Sequence, residues 1–491
     1  MNSFDVVIIG NASAGLALAL QLKEDDANMS VAVVGPSARR GSATLTAGEM
    51  VNVYAEIPYG TFEDKDLEAR FSLIEPAMKL WDDHAAKLRE LSGLPLDVSW
   101  GTYLIVNAKS TALEVESFEY IRKSVAERGI EYRDVSPLDI PFLRPMEGHL
   151  ATRAMWLPDG RMDSRQVIAA SDAAARAVGI EMFDAEATGI SLRERKGFVT
   201  RSADTKSVTL SDGTQLIAPN VVFANGAFAQ ALIDQDKELK AETPRLLYGG
   251  GCALDLQIPP WVKEMGGIGR TLLDMDAVVR TTDRGGACGV HVVPLGDGAF
   301  YCGASSGIWV DPDYTPKAHG VHVLLHSAIT EFNREFFYAG VEIRGNGFRP
   351  TSADCYPLLG QSHLEGVWFM NGMKRDGLSA SLYLSRELSK AIRGLDHALP
   401  ERFKPSRKLI SFKTKEQAIT AAERAYTGSD FQHGSVQAPY NTDRFEQARF
   451  GPIRDVYERR KIQKFGIHPE LLHLYENDQY YETIKHDLEF A

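Results

Sequence analysis

The sequence predicts an α/β protein in which a doubly wound domain on a parallel sheet is interleaved with an antiparallel α+β domain and followed by a mostly helical C-terminal extension. Three observations predict it. The chain opens DVVIIGNASAGLALALQL, an apolar run that turns at Gly10 and resumes as a helix after Gly15. Runs that alternate polar and apolar residues, bounded by turn signals, separate later pieces of the same layer. Beyond about residue 396 the chain becomes charged and aromatic, with Pro405, Pro439 and Pro452 between short helical pieces. A length of 491 residues fits two or three domains.

Taken in order, residues 4–9 read as a buried strand, 13–22 as a helix and 30–34 as a second strand, a strand-turn-helix-strand unit. Residues 66–92 form a long amphipathic helical stretch and 100–107 a strand. The Ala-rich 163–178 reads as a helix leading to the strand IEMFDA at 180–185, and 188–216 as an antiparallel meander before the apolar strand that ends at Asn225-Gly226. Residues 286–306 read as a hairpin turning at Gly296-Asp297-Gly298. The expected division is 1–60, 151–240 and 340–395 for the first domain, 61–150 and 241–339 for the second, and 396–491 for the extension. The extension's helically spaced apolar residues suit packing on the body or on another subunit, so a homo-oligomer stays open.

Bulk composition excludes several classes. A net charge of −12 argues against a phosphate-backbone partner, so no nucleic acid is expected. Four cysteines without C-x-x-C or Cys/His spacing suggest neither a disulfide framework nor a zinc site, and no metal is expected. An intracellular, cytoplasmic setting follows from this cysteine usage and from an N-terminus that lacks a basic n-region and cleavage site. No apolar run reaches the roughly 18 residues of a membrane span.

The N-terminal turn is the first candidate site. Gly10 permits the tight turn, Gly15 lets helix and strand approach, and the amides of Ala12, Ser13 and Ala14 face an anion that the helix dipole favours. A dinucleotide pyrophosphate is the expected occupant, although Ala12 replaces the usual middle glycine. After the second strand, where an acidic residue usually grips a ribose, the chain has VVGPSARR, leaving Ser37, Arg39 and Arg40 as candidate contacts. A second glycine-hinged helix start follows the strand GVWFMNG: Gly372, Lys374, Asp376, Gly377 and Leu378 border another set of unpaired amides.

These pieces, with SATLTAGEM at 42–50, VVFANGAF at 221–228 and FRPTSAD followed by GMKRDG at 348–377, resemble the FAD-dependent D-amino-acid, glycine and sarcosine oxidase family over roughly residues 4–395. The resemblance implies a Rossmann-like FAD domain, a noncovalent FAD, and oxidation of a C–N bond in an amino acid or secondary amine to an imine, with hydride passing to the flavin. It implies that Arg349 holds a substrate carboxylate and that Arg375 borders flavin or substrate, with Met373 and Lys374 replacing the family's His and aromatic residue. It further implies FAD contacts from Ser42, Ala43, Thr44, Ala47 and Gly48 and from Ala224 and Gly226, while Asp354 braces its loop. His291 and Tyr301 on the hairpin are candidates to face the substrate. The lysine with which some relatives activate O2 falls near Tyr301, so O2 and another electron acceptor both stay open. Two other readings stay open as well: a monooxygenase reduced by NAD(P)H, and a non-catalytic binding or assembly protein.

Overall fold

The computed structural model describes residues 2–192, 205–264, 270–284, 289–432 and 442–488. Val6–Ile9, a run of four β-branched residues, is buried on both faces and so lacks the alternation of a half-solvated strand. It pairs in parallel with Val31–Val34 on one side and Asn220–Phe223 on the other. The six-stranded sheet is completed by Glu181–Phe183 beyond Val31–Val34, and by Val367–Asn371 and Leu358–Gln361 beyond Asn220–Phe223. One face packs on the helices Ser13–Asp25, Ser164–Ala177 and Gly377–Ile392, through Leu16, Ala170 and Leu384 among others. The other packs on a four-stranded sheet that includes the expected meander, of which residues 193–204 lie outside the described residues.

The second sheet is ten-stranded and almost wholly antiparallel. Its long strands Leu246–Gln257 and Gly340–Ser352 run along one another. The hairpin is formed by His291–Gly296 and Ala299–Gly303, with positive φ at Asp297 and Gly298, as a mirror-image turn requires. Residues 286–288 of the expected hairpin lie outside the described residues.

Two expectations are corrected. The stretch 66–92 is two helices, Lys65–Met78, which carries Pro76 in its last turn, and Trp81–Ser92. Ala151–Arg161 and Gly340–Ser352, expected in the first domain, are strands of the second sheet, so the chain crosses between layers after these strands rather than before them.

The extension packs on the body. Ile419, Ile453, Tyr457 and Leu472 build a small core that incorporates Leu247, Ile308 and Cys355. Arg407 pairs with the buried Asp354, and Arg424 reaches Glu116 at 2.7 Å. Among the described residues no helix is long and apolar enough to cross a membrane, and no cluster of His, Cys, Asp or Glu could hold a metal ion.

Candidate functional site

Both glycine-hinged helix starts border one cleft of about 570 Å³. The N-cap of Ser13–Asp25 is Ala12, and that of Gly377–Ile392 is Asp376; neither makes a side-chain cap. Asp376 turns its carboxylate to Arg70 at 2.6 Å instead. First-turn amides of two helices are therefore left for an anionic ligand, with both dipoles favouring it. Gly10 has φ +125°, and a Cβ there would overlap the Ala224 carbonyl; one at Gly15 would overlap the Gly10 carbonyl oxygen. Ala12, by contrast, has φ −98° and ψ −168°, an extended conformation open to any residue, which explains how the middle glycine can be absent.

The loop 42–50 forms the next wall. Ser13 and Thr44 share a hydroxyl hydrogen bond of 3.1 Å, and Ala43, Ala47 and Gly48 line the cleft beside them. A Cβ on Gly48 would meet His291 Nε2 at 2.6 Å, so glycine is required where the ring approaches. His291 Nε2 lies 3.1 Å from the Gly48 carbonyl and ties this loop to the hairpin. Burial, then the nearby Arg280, lowers its pKa to about 4, so the imidazole is neutral near pH 7. Tyr301 is corrected: it stacks on His291 beneath the cleft, fully buried, and its hydroxyl donates to the Thr46 carbonyl at 3.3 Å.

The His291 shift fixes a pH dependence. In the unfolded chain this group takes up its proton near pH 6.5, whereas in the fold it resists until about pH 4. The stability contributed by the neutral ring is thus complete above 6.5 and is lost as pH falls through that window. Denaturant unfolding of the FAD-loaded protein is expected to show a shallower acid decline for His291→Gln, by up to about 1.4 kcal/mol per pH unit. A decline identical to the parent's would contradict the assignment.

Arg39 lines the cleft, but its guanidinium is held by both oxygens of Asp172 at 2.6 Å and by the Asn11 carbonyl at 2.9 Å. It braces the turn while still bordering the cleft. Ser37 is not among the residues that line the cleft, and its amide donates to Asp184. Arg40 lies over the Tyr314 ring, 4.1 Å from its centroid. At the position without an acidic ribose ligand, Asn11 Nδ2 donates to the Gly35 carbonyl at 2.8 Å, and Glu186 and Ala187 reach the cleft from beyond the 181–183 strand. Neither was assigned a contact from sequence, because the register of the strand before them is not fixed by its pattern. Ala224 and Gly226 close the opposite wall with Asn225, while Gly15 and Gly372 act beneath the surface, as a packing contact and a positive-φ turn. No cysteine lines the cleft among the described residues; Cys355 is buried and its thiol is pushed up to about 12 by burial.

The far end carries the charged groups. Arg349, from the strand Gly340–Ser352, donates to the Ser305 carbonyl at 2.9 Å and to Ser306 Oγ at 3.4 Å, and no carboxylate pairs with it among the described residues. Its neighbours are compensated. Arg280 pairs with Glu56 at 2.8 Å, and Glu470 of the extension takes Lys374 at 2.6 Å and Arg375 at 2.8 Å. Burial would raise the Glu56 carboxyl, but Arg280 and Arg375 hold it at about 2. Glu470 is likewise kept well below the carboxylate range against its burial by Lys374 and Arg375. The Lys374 amide donates to the Pro350 carbonyl at 2.9 Å, stitching this segment to the backbone beside Arg349.

Residues 5–391 match the family model described as DAO, FAD dependent oxidoreductase. The bifunctional protein ThiO/ThiG of Synechocystis sp. is 25% identical over 411 residues, 81% of this chain and 54% of that protein. Its namesake in Nostoc sp. is 25% identical over 376 residues, 76% of this chain and 50% of that protein. The chain thus spans about half the length of the curated relatives it matches. Among solved structures, glycine oxidase from Geobacillus kaustophilus superposes with a TM-score of 0.67 at 20% identity, over 84% of this chain and 100% of its own. Iminodiacetate oxidase from Chelativorans sp. BNC1 superposes with a TM-score of 0.65 at 20% identity, over 82% and 98%.

Proposed function

Since the chain belongs to the DAO family of FAD-dependent oxidoreductases and takes FAD as its cofactor, we propose that it oxidises the C–N bond of an amino acid or secondary amine that bears a carboxylate, giving an imine. The observation that carries this reading is Arg349, a cleft guanidinium with no carboxylate partner among the described residues, between two serine oxygens that fix its plane. The cleft suits FAD: the two uncapped helix starts match its pyrophosphate and the electron-rich edge of its ring, and Gly10 and Gly48 let the walls of the cleft close on Ala224 and His291 as no other residue would.

FAD, when bound, supplies the acceptor for two electrons and the hydrogen of the substrate C–H bond. The chain supplies position. Arg349 clamps the carboxylate with a planar fork and so fixes which C–H faces the acceptor. Neutral His291 and the Gly48 carbonyl hold the loop that borders the reacting end, and Glu56, a carboxylate at neutral pH, is occupied by Arg280. No strong base is needed when the amine arrives unprotonated. Water then hydrolyses the imine. The electron acceptor that follows is O2 or another oxidant, and a reducing compartment such as the cytoplasm suits the free Cys252, Cys302 and Cys355.

The test is anaerobic mixing of the FAD-loaded protein with a panel of amino acids and N-substituted glycines. Bleaching of the flavin absorbance by a carboxylate-bearing amine is expected. Bleaching by NAD(P)H alone, with no response to any amine, would contradict it.

A further inference from the structure

Behind the charged end of the cleft lies a second chamber of about 530 Å³, roofed by the extension. Glu56, Lys374 and Arg375 line both spaces, so the chamber begins where the substrate end of the cleft stops. We propose that it is the outer half of the substrate site, taking an apolar substituent of the amine that carries an N–H or O–H donor rather than a second carboxylate. This rests on the C–N oxidation reading above.

Three features point there. The walls are largely apolar: Ile57, Phe71, Ile74 and Ile121 come from the body, and Ala421 and Ala425 from the helix Lys415–Gln432. Its volume lies in the range of organic-ligand sites, roughly 300–1,000 Å³, far more than a two-carbon amino acid fills. Its polar equipment is specific. Glu470 reaches in from the extension with a side chain only 7% exposed; Oε1 accepts from Lys374 and Arg375, while Oε2 has no hydrogen-bond partner among the described residues. An unmet carboxylate oxygen in an apolar wall selects a donor.

The same charges disfavour an anion. Lys374 and Arg375 are met by Glu470, with Asp283 3.4 Å from Arg375; Arg70 is met by Asp376, and Arg424 by Glu116. Lys413 and Glu416 add one charge of each sign. A second carboxylate beside Glu470 would meet that carboxylate's charge, and the cations next to it, Lys374 and Arg375, are already held by Glu470. The roof lies beyond the residues 5–391 that match the family, so this specificity belongs to the extension.

The test titrates the FAD-loaded full chain with four carboxylates and follows the flavin visible spectrum: propionate, 3-phenylpropionate, 3-(4-hydroxyphenyl)propionate and 3-(4-carboxyphenyl)propionate. The phenyl compound is expected to bind at least roughly tenfold tighter than propionate, the hydroxyphenyl compound no weaker than it, and the dicarboxylate to lose the gain. Ala421→Trp, which fills the chamber, should bring the phenyl-to-propionate ratio near one with flavin absorbance retained; Thr420→Trp on the same helix replaces it if that variant loses flavin. A ratio near one in the parent, a ratio unmoved by tryptophan, or tightest binding of the dicarboxylate overturns the chamber proposal while leaving the carboxylate reading intact. No spectral response to any of the four overturns the carboxylate reading, and the chamber assignment with it.

Discussion

Replacing Arg349 by alanine is expected to weaken binding of a simple carboxylate such as acetate by about 2–4 kcal/mol, roughly thirtyfold to a thousandfold, with FAD retained. The magnitude follows from the position of the guanidinium. It projects from a strand whose partner opposite Arg349 is Gly249, in a run of three glycines; a Cβ on Gly251 would lie 2.6 Å from an Arg349 nitrogen. Gly251 therefore leaves space that the guanidinium and the Ser305 carbonyl occupy. Ser305 and Ser306 orient it but do not neutralise it, and the other cations nearby already have carboxylates. Removing it leaves the ligand's charge in the cleft without a partner. Arg349→Lys should recover only part of the loss, since an ammonium keeps the charge but not the fork. Spectral titration with acetate reads all three proteins, and an affinity unchanged by alanine would remove the role.

Gly15→Ala is expected to cost about 3 kcal/mol or more and to yield protein with little or no FAD, because the new methyl meets the Gly10 carbonyl oxygen, which is backbone and cannot rotate away. The clash pushes the first helix off the strand whose turn forms the cleft. Ala12→Gly is the control: residue 12 is already extended, so FAD affinity should change by less than about 1 kcal/mol. Flavin content and FAD titration of the two variants measure this. If Gly15→Ala retained full FAD and Ala12→Gly lost it, the assignment of roles within the turn would be wrong.

Much of this is legible in the sequence because it is local. A run such as VVII flanked by a glycine turn has one good solution in an α/β sheet, and the second helix start announces itself through Gly372 and Gly377 in the same way. Arg349 came from a family resemblance rather than from spacing. What escaped depends on distant contacts. Nothing near Lys374 and Arg375 indicates that their carboxylate stands almost a hundred residues on, at Glu470, in a segment whose helical pattern shows that it packs but not where. The hairpin register places His291 and Tyr301 on one face, where the rings stack; His291 reaches the cleft wall and Tyr301 lies beneath it, a difference of depth that strand periodicity does not carry. The domain boundaries failed at 151–161 and 340–352 because a strand entering the second sheet reads like one leaving the first.

The most direct measurement is a titration of FAD into apo-protein, read by flavin fluorescence and absorbance. One molecule bound per chain, with a yellow product stable to gel filtration, is the expected result for a cleft spanned by two uncapped helix starts. A folded protein that stays colourless and takes up no FAD would contradict it.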